Sequence, residues 1–354
     1  MLQYILKRLL LMLPTLFGVL LVSFVVIQFV PGGPVEQMVY QLKGRGAAES
    51  AGNTSAGTGA YQAARGLSDE QLTQIKTQYG FDKPAPERFW LMLKSYVSFD
   101  LGESWFRHAS VVDLIREKLP VSMSLGISSL LLTYLIAVPL GVAKAVRHGS
   151  RFDWVTTFGL LVAYAIPSFV LGVVLLVLFG GGSFWQLFPL RGLTSDGWES
   201  LSMAGKVMDY VWHLVLPVTA MVVGGFASLT FLTKNSFLEE INKQYVTTAR
   251  AKGATEQRIF WRHILRNAAL PLVVGLPEAI IGAFFTGSLL IETLFSLDGL
   301  GLLSYESVLR RDYPVVLGTL YFFTLIGLLG KLLSDLAYVL LDPRVQFGRV
   351  GEGQ

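Results

Sequence analysis

Six stretches of this chain are each apolar over about twenty residues or more, which is the span a helix needs to cross a bilayer. They run roughly over 9–30, 121–143, 154–179, 211–233, 268–295 and 314–341, and they carry very little charge. At about 1.5 Å of rise per residue the first reaches roughly 33 Å, enough for the hydrocarbon core. The reading is therefore an all-α membrane protein with six spans. Composition agrees: 52% of the 354 residues are hydrophobic, only 15% are charged and the mean hydropathy is +0.53, so a soluble globular domain is excluded. There are no cysteines, which removes disulfide frameworks, thiolate metal sites and cysteine nucleophiles.

Lys7 and Arg8 precede the first run, and Pro31-Gly32-Gly33-Pro34 follow it. A secretory signal would have a shorter apolar region and a small-residue cleavage site, so the segment reads as a retained first span within residues 1–34. Residues 35–120 form one long polar excursion. Its part 44–66 is rich in Gly, Ala and Ser, with too few large apolar groups to fold, and reads as a flexible insert. Beyond it Ser68 can cap a helix ending near Gly80. Pro84 and Pro86 open a second helix carrying Phe89, Trp90, Leu93 and Val97, and Ser110 a third, short one toward Lys118. The five remaining spans make a core over 121–341, with a basic loop at 234–267 and a tail at 342–354.

Short loops set the orientation. Fourteen Lys and Arg fall on the side of Lys7 and Arg8, against four (Arg191, Lys206, Arg310, Arg311) on the other, with the long loop set aside. Six spans with both termini in the cytoplasm follow, and the 35–120 loop then faces the periplasm. The excess of basic residues beside apolar spans is explained by anionic lipid and the positive-inside bias rather than by nucleic acid.

The most charged segment is 245–271. Phe237, Ile241 and Tyr245 recur every fourth residue, and Ala249 continues that helical stripe. Gly253 ends or bends the helix, because glycine accepts the left-handed conformation. Arg258, Arg262 and Arg266 then line one face of a second helix, with Phe260, Trp261, Ile264 and Leu265 expected opposite them. Helix, small-residue bend and helix make a knob suited to a partner's cleft; the simpler reading is a basic loop that only sets orientation.

Sites of chemistry are scarce. The G-x-x-x-x-G-K-[S/T] phosphate loop is missing, the four histidines are scattered without metal-ligand spacing, and no serine has a nucleophile-elbow context. No cofactor or metal is expected. Glu278 falls near the middle of the fifth span and is a candidate pathway residue, or else a locally hydrogen-bonded carboxyl; Glu292 lies near that span's outer end. Lys331 and Asp335, four apart in the last span, are expected to pair with each other.

Several motifs carry a resemblance. Tyr245-Val246-x-Thr248-Ala249-Arg250-Ala251-Lys252-Gly253, followed by His263-x-x-Arg266-Asn267-Ala268 and Pro271, resembles the coupling loop of inner-membrane permeases of bacterial ABC importers, in their dipeptide/oligopeptide/nickel branch. The wider superfamily opens this loop with Glu-Ala-Ala. Here the triplet is Thr247-Thr248-Ala249, a departure shared by the peptide branch, while the glycine stands. Gly80-Phe81-Asp82-Lys83-Pro84, Asp100-Leu101-Gly102-x-Ser104, Leu119-Pro120-x-Ser122, the run from Gly287-Ser288 through Glu292 to Gly301, Arg310-Arg311-Asp312-Tyr313-Pro314 and Asp342-Pro343-Arg344 are similar to that branch as well. The 31–34 turn and the Gly-rich insert resemble most the Yej-type permeases, associated with peptide and microcin C uptake.

The resemblance implies the six-span ABC importer permease fold and a non-catalytic subunit importing peptides. It also implies as partners a second homologous permease subunit, two ATP-binding cassette subunits and a periplasmic solute-binding protein. It assigns Tyr245, Thr248, Ala249, Arg250, Ala251, Lys252, Gly253, Arg258, Arg262 and Arg266 to ATPase coupling, and places Glu292 beside the periplasmic mouth. A proton-driven secondary transporter would want paired carboxylates or histidines at the membrane middle. A membrane scaffold would recruit a partner through the same loop yet move no solute.

Overall fold

The computed structural model describes residues 2–29, 83–180, 184–285 and 289–341. Its helices are α1 Leu2–Phe29, α2 Ala85–Val97, α3 Val111–Val146, α4 Arg151–Ala165, α5 Ser168–Phe179, α6 Met203–Ile241, α7 Gln244–Ala251, α8 Glu256–Ile259, α9 Leu265–Ala268, α10 Leu270–Phe285, α11 Leu289–Leu294, α12 Leu300–Leu309 and α13 Tyr313–Leu341. A π-helical turn, Phe260–Ile264, joins α8 to α9. Among the described residues the only extended pairing is an isolated bridge between Glu103 and Ser110.

Four helices are long and apolar enough to span a membrane, over Tyr4–Phe29, Val111–Val146, Met203–Ile241 and Tyr313–Ala337. Two bent pairs raise the number to six: Arg151–Ala165 with Ser168–Phe179 at 92°, and Glu256–Ala268 with Leu270–Ala283 at 48°. The expected third span is thus a broken one. Ile166 is extended (φ −87°, ψ 117°) because proline's ring disfavours the α conformation of the residue before it, and Pro167 starts α5 instead of kinking one helix. The short helix expected after Ser110 is corrected too. It is the first part of the 36-residue α3, which runs through Pro120 and Pro139, since each proline removes a single ladder bond. The motif at 80–82, the 31–34 turn, the 44–66 insert, the Ser68 helix, Gly287-Ser288, and the 342–354 tail with its Asp-Pro-Arg segment lie outside the described residues.

The chain divides into two compact units. The first comprises 1–12, 116–303 and 323–354. One of its cores packs Leu125, Leu214, Leu216, Val218, Val222, Ile291, Phe295 and Leu297; a second packs Ala145, Phe237, Val246, Ile259, Ile264, Ala268 and Leu272. Helices approach closely at small residues: a Cβ on Gly126 would stand 1.7 Å from the Ala283 carbonyl oxygen, and one on Gly141 would stand 2.7 Å from that of Thr230. Asp335 does not pair with Lys331. It accepts from Arg8 (2.9 Å) and the Tyr4 hydroxyl (3.0 Å), a better arrangement than an exposed i,i+4 pair can offer.

The second unit comprises 13–115 and 304–322. Phe89 of α2 packs against Phe17 and Phe24, and Tyr96 against Tyr321. Asp312, 2% exposed, accepts from the Ser104 hydroxyl and from the Trp105 amide (3.1 Å). Two motifs about two hundred residues apart in sequence therefore close on one another.

Candidate functional site

The basic segment folds as α7, a bend, and the α8–π–α9 helix. The stripe from Phe237 to Ala249 is not one helix as expected: α6 ends at Ile241, and Asn242-Lys243 turn the chain before α7. The turn is made by a residue that sequence reasoning passed over. Glu240, 8% exposed, accepts from the Lys243 ammonium and from the Tyr245 hydroxyl. Asn267 of α9 in turn donates to the Tyr245 oxygen (3.3 Å). Burial, and after it the Glu240 carboxylate, raises the Tyr245 phenol above its ordinary value, so it stays a protonated donor. The only hint in the sequence was an acidic pair, Glu239-Glu240, inside a basic stretch.

Beneath this clasp Val246 is fully buried in the core with Phe237, Ile259 and Ile264. Ala249 and Tyr245 are half-buried, whereas Thr247, Thr248, Arg250, Ala251, Lys252 and Gly253 are exposed. Gly253 adopts φ +78°, the left-handed closure expected of it, and nothing lies within 4 Å of where its Cβ would stand. Arg250 is held to Glu256 by two hydrogen bonds of 2.6 and 3.0 Å. Arg258, Arg262 and Arg266 are exposed along the next helix.

One expected face is corrected. Trp261 does not face inward but is 63% exposed on the arginine side, and the buried positions are Ile259, Ile264 and Ala268. Their spacing of five and then four follows from the π turn, which inserts one residue and rotates Trp261 outward.

A second buried polar knot was also missed. Asp153 meets Lys144 (3.0 Å) and Lys234 (2.8 Å), and the Ser150 hydroxyl caps α4 by accepting from its amide. Lys144 is 0% exposed and donates further to the Thr156 and Thr157 hydroxyls, both at 2.7 Å. Lys234 lies 81 residues from Asp153, so no local spacing reveals the knot.

Glu278 sits on an exposed face of α10, its backbone amide donating to Ser334 Oγ (3.1 Å). Glu292 is different. It is 0% exposed, and its carboxylate accepts from Ser122 Oγ (3.1 Å) and from the amides of Gly301 and Leu302, the latter at 2.8 Å. Ser122 Oγ also accepts from the Leu300 amide (2.8 Å). Together they satisfy the free amides of the first turn of α12, a cap assembled from remote residues. Gly299 is required there, since a Cβ would stand 2.5 Å from the Glu292 carboxyl carbon. Among the described residues no group of three His, Asp or Glu side chains is placed to hold a metal.

Comparison with known proteins agrees with this architecture. Residues 137–347 match the family described as binding-protein-dependent transport system inner membrane component. The chain is 52% identical to the peptidoglycan transport system permease protein YejB of Agrobacterium fabrum, covering 98% of each chain. It is 50% identical to the inner membrane ABC transporter permease protein YejB of Escherichia coli O157:H7, covering 97% of this chain and 98% of that one. It is 32% identical to the dipeptide transport system permease protein DppB of Escherichia coli K12, covering 98% and 99%. Its membrane-length helices and these matches over nearly its whole length make one assignment: the chain belongs to the inner-membrane permease family of binding-protein-dependent ABC importers, in the peptide branch.

Proposed function

We propose that this chain is the membrane-embedded permease subunit of an ATP-driven importer of peptides or peptide-like compounds across the bacterial inner membrane. The observation that carries the reading is α7: one face is pinned into the protein's own core while the other presents Thr248, Arg250, Ala251, Lys252 and Gly253 outward. A helix held this way is a handle. A push on it passes through Val246 to Phe237 of α6, to Ile259 and Ile264, and to Ala145 of α3, because close-packed side chains transmit displacement instead of absorbing it. The force comes from two ATP-binding cassette subunits that grip the handle, ATP hydrolysis being theirs. A second homologous permease and a periplasmic solute-binding protein complete the assembly. Both termini lie in the cytoplasm and the 35–120 loop lies in the periplasm, in keeping with the distribution of Lys and Arg. The relatives' names, peptidoglycan and dipeptide transport, support the peptide class.

Glu278 is assigned to the pathway. A carboxylate facing hydrocarbon costs about 3 kcal/mol, so an exposed one on a membrane-spanning helix is explained by a wet pathway where it meets an ammonium group of the substrate. Glu292 serves the periplasmic mouth by bracing α12, not by touching substrate.

The test is Gly253→Asp. The backbone conformation disfavours a side chain and the space outside is open, so the variant inserts and accumulates normally yet its bend no longer seats in a cleft. Peptide uptake falls to background, and the ATPase subunits no longer co-purify. Normal uptake by Gly253→Asp ends this reading. Glu278→Gln reduces uptake of cationic peptides more than that of neutral ones; equal loss for both removes Glu278 from the pathway.

A further inference from the structure

Beside the handle on α7 lies a second surface, whose arginines the resemblance groups with ATPase coupling but whose geometry differs from that of α7. The π turn brings Arg258, Trp261, Arg262 and Arg266 to one exposed side of the α8–α9 segment. These arginines differ from Arg250, which Glu256 holds in a double hydrogen bond. Among the described residues Arg258, Arg262 and Arg266 make no ion pair, and the neighbouring exposed side chains Gln257 and Asn267 are uncharged. Three free guanidinium groups in a row, without an acid among them, select for an anion. Their planar forks match phosphate oxygens two at a time.

Trp261 narrows the class of anion. A tryptophan 63% exposed beside uncommitted arginines has an apolar body and one N–H donor, the combination favoured where hydrocarbon meets headgroups. Position agrees: Arg266 stands four residues before α10, which leaves the segment at a 48° bend and whose sixteen residues are apolar apart from Glu278, so within that bent pair the hydrocarbon-crossing part begins after the arginine row. At about 1.5 Å per residue the whole row lies within roughly 18 Å of the start of that span.

We propose that Arg258, Trp261, Arg262 and Arg266 form a binding site for the headgroup of an anionic phospholipid in the leaflet where α10 begins. The site rests on the chain's membrane placement and not on the grip of ATPases on α7. The segment then has two faces with separate occupants, a protein on α7 and lipid on the arginine row. Lipid charge would act on the handle through Ile259 and Ile264, which share its core.

The experiment uses the complex purified with its companion subunits and placed in nanodiscs of phosphatidylcholine, with or without phosphatidylglycerol. Native mass spectrometry counts the phosphatidylglycerol retained, and size-exclusion elution reports assembly. The Arg258→Gln/Arg262→Gln double variant retains phosphatidylglycerol roughly tenfold less well or worse, given the attraction of each basic side chain to an anionic surface. Arg250→Gln leaves retention unchanged. Trp261→Ala weakens retention of phosphatidylglycerol, and brominated phosphatidylglycerol quenches a tryptophan signal that Trp261→Phe removes. Inorganic phosphate does not compete, which separates a lipid site from a general phosphate site; competition by phosphate overturns the lipid assignment. Undiminished phosphatidylglycerol in the double variant also overturns it. So does loss of the ATPase subunits with lipid retained, which would make the row a protein interface. Should the glutamine variant fail to assemble, Arg258→Lys/Arg262→Lys keeps charge without the fork. Retention intermediate between wild type and none, falling with added salt, supports the site; retention indifferent to salt overturns it.

Discussion

Glu240 and Glu292 both organise motif-rich turns of the same unit, yet they leave opposite surfaces behind. Around Glu240 the carboxylate gathers Lys243 and Tyr245 beneath the chain, and the arginines, Lys252 and the Gly253 bend are left facing out. Around Glu292 nothing is left over: the carboxylate is wholly buried, its acceptors are filled by Ser122, Gly301 and Leu302, and Gly299 lies against it without room for a methyl group. Motif density alone does not mark a place where something binds. The first turn leaves charged groups and a bend exposed, whereas the second spends its polar groups on holding one helix start in place.

Breaking the second turn should have the largest effect. Glu292→Ala strips an acceptor from buried amides at about 1–3 kcal/mol each, so a loss on the order of 3 kcal/mol is expected, read as a lower melting temperature in detergent and reduced accumulation. Gly299→Ala should approach it, since the new methyl group displaces that same carboxyl group. Retention of full stability by either variant would erase the contrast. Glu240→Gln should cost less, about 1–2 kcal/mol, and only locally. Hydrogen exchange should speed up over 244–253 while the rest of the unit stays protected, and uptake should fall with the loosened handle. Global unfolding would instead make the two turns equivalent.

Asp312 sharpens the comparison through pH. Burial raises its carboxyl above the ordinary range, opposed by the Ser104 hydroxyl, the Trp105 and Phe106 amides and the Arg107 charge. Arg107 is itself paired with Glu306 at 2.7 Å. A carboxyl with a raised folded value binds its proton more tightly folded than unfolded. Its contribution to stability therefore grows as pH falls from neutral through that value, and is lost as pH rises back through it. Thermal melts from neutral to mildly acidic pH should show this increment in wild type and not in Asp312→Asn. The smallest effect belongs to the exposed Arg250–Glu256 pair, for which Arg250→Ala should leave the melting temperature unchanged within error.

The spans were legible because an apolar run of bilayer length reads the same in any context, and the bend after α7 because a glycine at 253 announces it. The rest depended on information that local spacing does not hold. Hydropathy cannot distinguish a straight span from the right angle at Pro167, since both contain the same run of apolar residues. The Lys144–Asp153–Lys234 knot and the choice of Arg8 over Lys331 for Asp335 are tertiary pairings. The outward turn of Trp261 arose from one inserted residue in the helix, to which a 3.6-residue period is blind.

The seat of Gly126 against the Ala283 carbonyl limits how α3 and α10 can move. A slide by one helical turn would bring Ser122 or Leu130 into that notch, each with a side chain where only a hydrogen atom fits. A slide of that size is therefore opposed by the backbone itself, whereas a tilt about the notch leaves the same hydrogen atom in place: one missing methyl group decides which relative motion of α3 and α10 costs less.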